Sequence, residues 1–492
     1  MSLIKIHNLT FSYPGSYENI FENINLQIDT DWKLGFSGRN GRGKTTFLKL
    51  LLGQYEHSGQ INSRVSFEYF PYQVAGPNDT PLDIAHSLVG ELQDWELLRE
   101  LSLLELTEDV LHRSFETLSN GERTKILLAI LFLKPNHFLL IDEPTNHLDM
   151  HGRKLLSNYL NRKSGFILIS HDRAVLDQCT NHTLVINKCN IEIQKGNFSS
   201  WLLNKQRQDE FEQAENEKLH REIERLEVAT KRTNKWSAAV EKTKFGTKNS
   251  GIKPDKGYIG RKSAKMMQRA KNIESRQQHA IHEKSKLLKN IEQVQTLKLH
   301  MQNYHSTRLL ELKSLAIYYG QRQISSPISL TVEQGDRIAL CGKNGSGKSS
   351  ILKLICGEDI AYTGMLHKGS RLKISYLAQS AEHLYGSLDE HINRYGLDHT
   401  LFKTILRKLD FSRAQFEKDM QHFSDGQKKK VLLASSLCQS AHIFIWDEPL
   451  NFIDVYSRMQ VERLLLDFKP TILFVEHDQN FYKNIASKIV HL

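Results

Sequence analysis

No stretch of this chain approaches the roughly 18 uncharged apolar residues that a bilayer crossing needs,. Its first ten residues, MSLIKIHNLT, contain no basic stretch followed by an apolar one, so a secretory signal is not expected,. Cysteine is scarce: Cys179, Cys189, Cys341, Cys356 and Cys438 are the five among 492 residues, and none stands in a C-x-x-C pair. An odd, scattered set fits reduced thiols and argues against a disulfide framework or a zinc site. These absences together predict a cytoplasmic protein. An apolar fraction of 39% and a charged fraction of 25% are those of a globular chain,. Its length exceeds one typical core of about 100–200 residues, so two or three domains are expected.

Negative charge is missing from one place. Residues 201–300 hold 23 Lys plus Arg against 13 Asp plus Glu, which accounts for the whole formal net charge of +10. Within 231–271 there are 13 basic residues and two acidic ones, Glu241 and Asp255. A solvated helix face is the usual meaning of mixed charge, but a run of nearly one sign points to a polyanion, either nucleic acid or a lipid surface.

The remainder of the chain is a repeat. GRNGRGKT at Gly38 recurs as GKNGSGKS at Gly342; Gln73 recurs at Gln379; LSNGE, with Ser119, recurs as FSDGQ, with Ser424. FLLIDEP, with Asp142, recurs as IFIWDEP, with Asp447, and SHD, with His171, as EHD, with His477. All five offsets lie between 304 and 306 residues. Five motifs in one order and nearly one register are a duplicated domain. Each glycine-rich turn follows a short apolar strand and precedes a helical pattern, and further buried-strand candidates alternate with helices. The fold class expected is α/β with a mainly parallel sheet in each copy. The domains expected are 1–200 and 305–492, with 201–304 between them. In that middle segment Pro254 is the sole proline, and Leu219, Ile223, Leu226 and later Ile281, Leu288, Ile291 fall at helical spacing,. The breaker-rich run GTKNSGIKPDKGYIG separates two arms, about 204–244 and about 261–300, so a basic helical hairpin with its tip at about 245–260 is expected.

G-x-x-x-x-G-K-[ST] is a phosphate loop: glycines let backbone N–H groups close on phosphate oxygens at a helix N-terminus. Candidate nucleotide-binding residues are therefore Gly38, Arg39, Asn40, Gly41, Arg42, Gly43, Lys44, Thr45 and Thr46, and Gly342, Lys343, Asn344, Gly345, Ser346, Gly347, Lys348, Ser349 and Ser350. Lys44 and Lys348 are expected to reach the β- and γ-phosphates, and Thr45 and Ser349 to ligate Mg²⁺ with Asp142 and Asp447. Glu143 and Glu448 are candidates to polarise the attacking water. His171 and His477 are candidate γ-phosphate sensors. Gln73 and Gln379 are candidates to couple metal and water to a neighbouring subdomain.

Phosphate loop, glutamine, signature, Asp-Glu-Pro and histidine together resemble the ABC ATPase family. The resemblance implies head-to-tail closure of a monomer around two ATP molecules with Mg²⁺. Ser119, Asn120, Gly121 and Glu122 would complete the site built on Lys348, and Ser424, Asp425, Gly426 and Gln427 the site built on Lys44. Tyr13 and Tyr319 resemble the aromatic that stacks on adenine. The second copy departs from the pattern at Asp425, where SGGQ is common, and in the run LNFID after Asp-Glu-Pro. Those departures make unequal hydrolysis by the two sites an expectation.

Two fused ATPase domains, a basic hairpin and no membrane domain resemble the ABC-F group, which acts on ribosomes. DWKLGFSGRNGRGKTT, AENEK at 214–218, WDEPLN at 446–451 and the run Gly257–Arg261 are similar to the Lsa-type resistance proteins of Gram-positive bacteria. The resemblance implies a hairpin entering the tRNA exit site of the 70S ribosome, near P-site tRNA and the 23S rRNA of the peptidyl-transferase centre. It also implies protection from lincosamides, pleuromutilins and streptogramin A. Lys244, Phe245, Lys253, Tyr258, Arg261, Lys262 and Lys265 are the contacts it suggests. Housekeeping members often carry an extra arm between glutamine and signature; here Gln73–Ser119 and Gln379–Ser424 are of nearly equal length. The competing expectations are a housekeeping ABC-F translation factor and the ATPase component of an exporter.

Overall fold

The computed structural model describes residues 2–15, 19–74, 76, 78–146, 148–187, 190–242 and 297–492. In the intervening region it also describes residues 261, 264, 265, 268, 271, 272, 275 and 276. By its contacts the chain divides into two compact units, Met1–Trp201 with Val294–Leu492, and Leu202–Gln293.

Within the first unit the two halves repeat one topology. β1 (Leu3–Phe11), β2 (Phe21–Asp29) and the later β4 (Ser58–Asn62) form an antiparallel sheet in the order β2-β1-β4. β3 (Lys33–Ser37) leads through the first phosphate loop into α1 (Lys44–Leu51). Its neighbours in the second sheet are β5 (Ser66–Phe70), β6 (His137–Asp142), β7 (Phe166–Ile169), β8 (His182–Asn187) and β9 (Asn190–Lys195). Their order is β5-β6-β7-β3-β8-β9, parallel apart from the β8–β9 pair. Helices α2 (Pro81–Val89), α3 (Asp94–Leu103), α4 (Asn120–Leu133), α5 (Met150–Asn161) and α6 (Arg173–Cys179) make the crossovers.

In the second half β10 (Arg308–Tyr319) pairs antiparallel with β11 (Arg322–Gln323), β12 (Ile328–Glu333) and β14 (Tyr362–Lys368). β13 (Arg337–Cys341), β15 (Ile374–Leu377), β16 (Ile443–Asp447), β17 (Ile472–Val475) and β18 (Lys488–His491) make a sheet ordered β15-β16-β17-β13-β18. That is the strand order of the first half. Helices are α8 (Lys348–Cys356), α9 (Leu388–Tyr395), α10 (His399–Lys408), α11 (Asp425–Cys438), α12 (Val455–Phe468) and α13 (Gln479–Ile485). Parallel strands are covered on both faces, which is why HFLLID and IFIWD read as unbroken apolar runs. Phe138, Leu140, Ile167 and Phe36 fill the first core, and Ile338, Ile443, Ile445 and Leu473 the second.

α7 (Phe198–Lys242) is a helix of 45 residues, about 68 Å at 1.5 Å per residue. Phe198 and Trp201 bury its first turn, their rings 5.5 Å apart. Leu219 and Ile223 are half-buried along it, and the described residues from 261 to 276 are helical as well. The expected tip at 245–260, with Lys244, Phe245, Lys253 and Tyr258, lies outside the described residues, as do Lys262, Ile281, Leu288 and Ile291. Arg261 and Lys265 are helical and exposed. Among the described residues no helix is long and apolar enough to cross a membrane.

Candidate functional site

Each phosphate loop turns on glycines that no other residue could replace without strain. Gly41 and Gly43 have φ of 82° and 95°, and Gly345 and Gly347 have 79° and 89°, the left-handed region that a Cβ disfavours. At Gly43 space is short as well, since a Cβ would lie 2.6 Å from the Ile20 side chain. Lys44 Nζ donates to the carbonyls of Gly38 (2.6 Å) and Arg39 (3.2 Å). Lys348 Nζ does the same to Gly342 (2.9 Å) and Lys343 (2.8 Å). Burial lowers the pKa of Lys44, opposed by Asp454, Glu143 and Asp142. Two cationic arms therefore end beside the carboxylates of the strand ends.

Those strand ends follow from topology. β6 and β16 are interior strands of their sheets and end at Asp142 and Asp447, so both carboxylates emerge at the carboxyl edge, where α/β folds place their ligands. Thr45 Oγ1 donates to Asp142 (2.8 Å) and Ser349 Oγ to Asp447 (3.1 Å). Tyr69 OH also donates to Asp142 (3.0 Å), a partner the sequence reading did not single out. Burial raises Asp142 and carries Asp447 up to about 6. Among the described residues no three His, Cys, Asp or Glu side chains converge as a metal cage. Asp447 Oδ2, however, is buried with no hydrogen-bond partner. A lone acceptor beside a serine hydroxyl fits a hard cation that takes its remaining oxygens from phosphate and water.

Glu143 and Glu448 follow directly, both with positive φ (51° and 48°). Backbone bonds from their N–H groups to Ile169 O (2.9 Å) and Val475 O (3.0 Å) hold that conformation. His171 Nε2 lies 3.3 Å from Glu143 Oε1 and His477 Nε2 3.5 Å from Glu448 Oε1. The two glutamates nevertheless differ. Burial, then the charge of Asp142, pushes Glu143 up to about 8. Burial also pushes Glu448 up, but His477 and Gln379 beside it and the charge of Lys429 outweigh it, holding the carboxyl below its usual range. Burial likewise drives His171 well below its ordinary pKa, helped by Lys44 and Arg458.

Two clefts assemble from both halves. The first, about 690 Å³, is lined by Tyr13, Asn40, Gly41, Gly43, Lys44, Thr45, Thr46, Asp142, Glu143 and His171, and across from them by Ser424, Asp425 and Gly426. The second, about 740 Å³, is lined by Lys343, Asn344, Gly345, Gly347, Lys348, Ser349, Ser350, Gln379, Glu448 and His477 facing Ser119, Asn120, Gly121 and Glu122. The signature serines cap their helices: Ser119 Oγ accepts from Glu122 N, and Ser424 Oγ from Gln427 N. That presents the N-termini of α4 and α11 to the clefts, where an anion is favoured. Cross-half contacts hold the pair together. Asn40 Nδ2 donates to Phe452 O (2.9 Å), Arg39 pairs with Asp410 (3.2 Å), and Arg173 pairs with Glu462.

Some candidates fall outside this arrangement. Gln73 is exposed and does not line the first cleft. It stands three residues past the end of β5, whereas Gln379 stands two past the end of β15, and the extra residue swings it out. Tyr13 OH lies 2.7 Å from Thr46 Oγ1 inside the first cleft. Tyr319 OH is 3.2 Å from Ser350 Oγ, but its ring is exposed and off the lining of the second. Arg42 is half-buried and also off the lining. Sequence reasoning missed Asn146, which lines both clefts, and Asp149, which lines the second. Their signal was the recurrence of the Asp-Glu-Pro run to its end, TNHLD and LNFID.

The ABC transporter family profile matches residues 21–146 and 325–451. Among curated proteins the chain is 28% identical to the ribosome protection protein VmlR of Bacillus subtilis (strain 168), over 97% of this chain and 85% of VmlR. It is 26% identical to the ATP-binding protein Uup of Buchnera aphidicola subsp. Acyrthosiphon pisum, over 99% of this chain and 80% of Uup. Among solved structures it resembles the archaeal ribosome recycling factor aABCE1, crystallised with the stalk protein aP1. The TM-score is 0.62 at 18% identity, over 95% of this chain and 85% of that one, a likeness of fold.

Proposed function

Since the chain belongs to the ABC transporter family and is an ATPase, we propose that it uses ATP to bind the 70S ribosome and protects the peptidyl-transferase centre from antibiotics. The observation that carries this reading is the basic helical insert between the two ATPase halves, which holds all of the chain's excess positive charge. An exporter subunit has no use for such an insert; RNA phosphates do. The name of VmlR, ribosome protection protein, supports the same reading, as does the absence of an arm between Gln73 and Ser119.

In each cleft the phosphate loop and the facing signature grip one ATP. Mg²⁺, held by Thr45 with Asp142 and by Ser349 with Asp447, would offset phosphate charge. Glu143 and Glu448 orient the attacking water, each steadied by its histidine. ATP between Lys44 and Ser424 ties the halves together, so binding favours the closed arrangement and hydrolysis releases it. The insert then enters by the tRNA exit site, toward 23S rRNA and P-site tRNA, as a monomer in the cytoplasm. The drug range of the resemblance is lincosamides, pleuromutilins and streptogramin A.

The test has two stages. Co-sedimentation with 70S ribosomes should require ATP, and recovery with membranes instead would favour an exporter. Cells expressing the chain should then survive a lincosamide or pleuromutilin, and cells expressing a version shortened within 247–257 should not, with ATPase activity retained. Ribosome binding without any change in drug susceptibility would make this a housekeeping translation factor.

A further inference from the structure

The two halves differ at three buried positions around the catalytic edge. Where the first has Thr124, Thr145 and Ser170, the second has Lys429, Leu450 and Glu476. In the first half these are neutral hydroxyls: Thr145 Oγ1 lies 3.3 Å from Ser170 Oγ, and Thr124 donates back to Asn120 O (2.9 Å) within its own helix. In the second half Lys429 is 2% exposed. Its Nζ donates to Ala378 O (3.0 Å), Gln379 O (3.2 Å) and Asp447 O (3.3 Å). An ammonium has three donors, and here each finds a carbonyl. Burial lowers its pKa to about 8, opposed by the charges of Asp447, Glu448 and Glu476. Glu476 is itself saturated, accepting from the N–H groups of Leu450, His477 and Asp478.

Two of those carbonyls belong to the segment after β15 and the third to the end of β16. We propose that Lys429 is a positioning residue: it ties the segment after β15 to the catalytic strand and so holds Gln379 in the cleft it lines with Glu448, at the site built on Lys348. Thr124 makes no such tie for the site built on Lys44, and there the matching glutamine, Gln73, is exposed. The two sites are therefore unequal by construction, with the water-orienting pair preassembled in one of them. The tie acts through Gln379 and Glu448 on the attacking water, and ATP binding does not depend on it.

The experiment compares Lys429→Met, which keeps the stem and removes the donors, and Lys429→Thr, the first half's residue, with the wild type. Hydrogen exchange read by mass spectrometry should show residues 374–382 exchanging about tenfold faster or more in both variants, with residues 66–74 unchanged. Steady-state ATPase assays should show kcat lowered by about tenfold and KM for ATP within about twofold. Unchanged protection of 374–382 in both variants would overturn the proposal. So would equal loosening of 66–74 in both, which would mark a general packing role, or a loss carried by KM with kcat intact.

Discussion

Gly426 sits in the first turn of α11 and faces the phosphate loop of the other half. A Cβ there would lie 2.6 Å from Phe452 O and 2.9 Å from Asn40 Nδ2, the two ends of a cross-half hydrogen bond, where ordinary contact begins near 3.4 Å. One wall must retreat by the better part of an ångström, and one of the atoms in the way is backbone. Overpacking of this kind costs about 1–3 kcal/mol, and losing the Asn40–Phe452 hydrogen bond adds about 0.5–1.5 kcal/mol. Together, about 2–4 kcal/mol weigh against the closed arrangement, part of it borne by the second half itself because Phe452 is its own residue, and each 1.4 kcal/mol is roughly tenfold. Gly426→Ala should therefore lower kcat/KM for ATP by roughly 30-fold or more. The half that carries it should lose some stability as well, because Phe452 belongs to the same half as Gly426, although alanine's helix preference over glycine, up to about 1 kcal/mol, offsets part of that. Steady-state ATPase assays and a thermal melt on the same preparation separate the two effects. A kcat/KM within threefold of wild type would refute the reasoning, and so would a loss of activity accounted for wholly by protein unfolded at the assay temperature.

Glu143→Gln with Glu448→Gln should leave ATP binding intact and reduce turnover by at least about a hundredfold, because a carboxamide cannot take up the proton of the attacking water; near-normal phosphate release would remove both residues from the mechanism. A carboxyl raised from 4.5 to about 8 by folding destabilises the folded chain as pH climbs through that window, because the unfolded state gives up its proton first,. In EDTA, Glu143→Gln should therefore melt higher than wild type at pH 8, with the difference shrinking toward pH 5; a pH-independent difference would contradict the raised pKa. Neutralising Arg261, Lys262 and Lys265 together should weaken ribosome binding and reduce its salt slope by up to about three, close to one per lost phosphate contact; an unchanged slope would make that run a solvated face.

The repeat was legible because its motifs are contiguous. A phosphate loop, a capped signature helix and a carboxylate at a strand end each need only a few adjacent residues, so GRNGRGKT and GKNGSGKS announce themselves. The parallel sheets were legible for the same reason: strands buried on both faces must be unbroken apolar runs. Lys429 was not legible, because nothing in FSDGQKKK marks which of its three lysines are buried, as Lys429 and Lys430 both are; only the packing of α11 against the segment after β15 turns Lys429 toward that segment. Gln73 misled in the opposite direction, since a single additional residue after a strand redirects a side chain while barely changing the spacing.

What the sequence by itself determined is the pair of ATPase halves, their strand-loop-helix chemistry and the place where positive charge collects, because each depends on residues near one another along the chain. What only the tertiary structure decided is which residues share a cleft and how unlike the two clefts are. Lys44 meets Gly426, and Lys348 meets Ser119, across hundreds of residues of chain. Asn146 lines both clefts, while Gln379 lines the second beside its glutamate and Gln73 is exposed. Such encounters depend on how two folded surfaces meet, and residue spacing along the chain does not encode that.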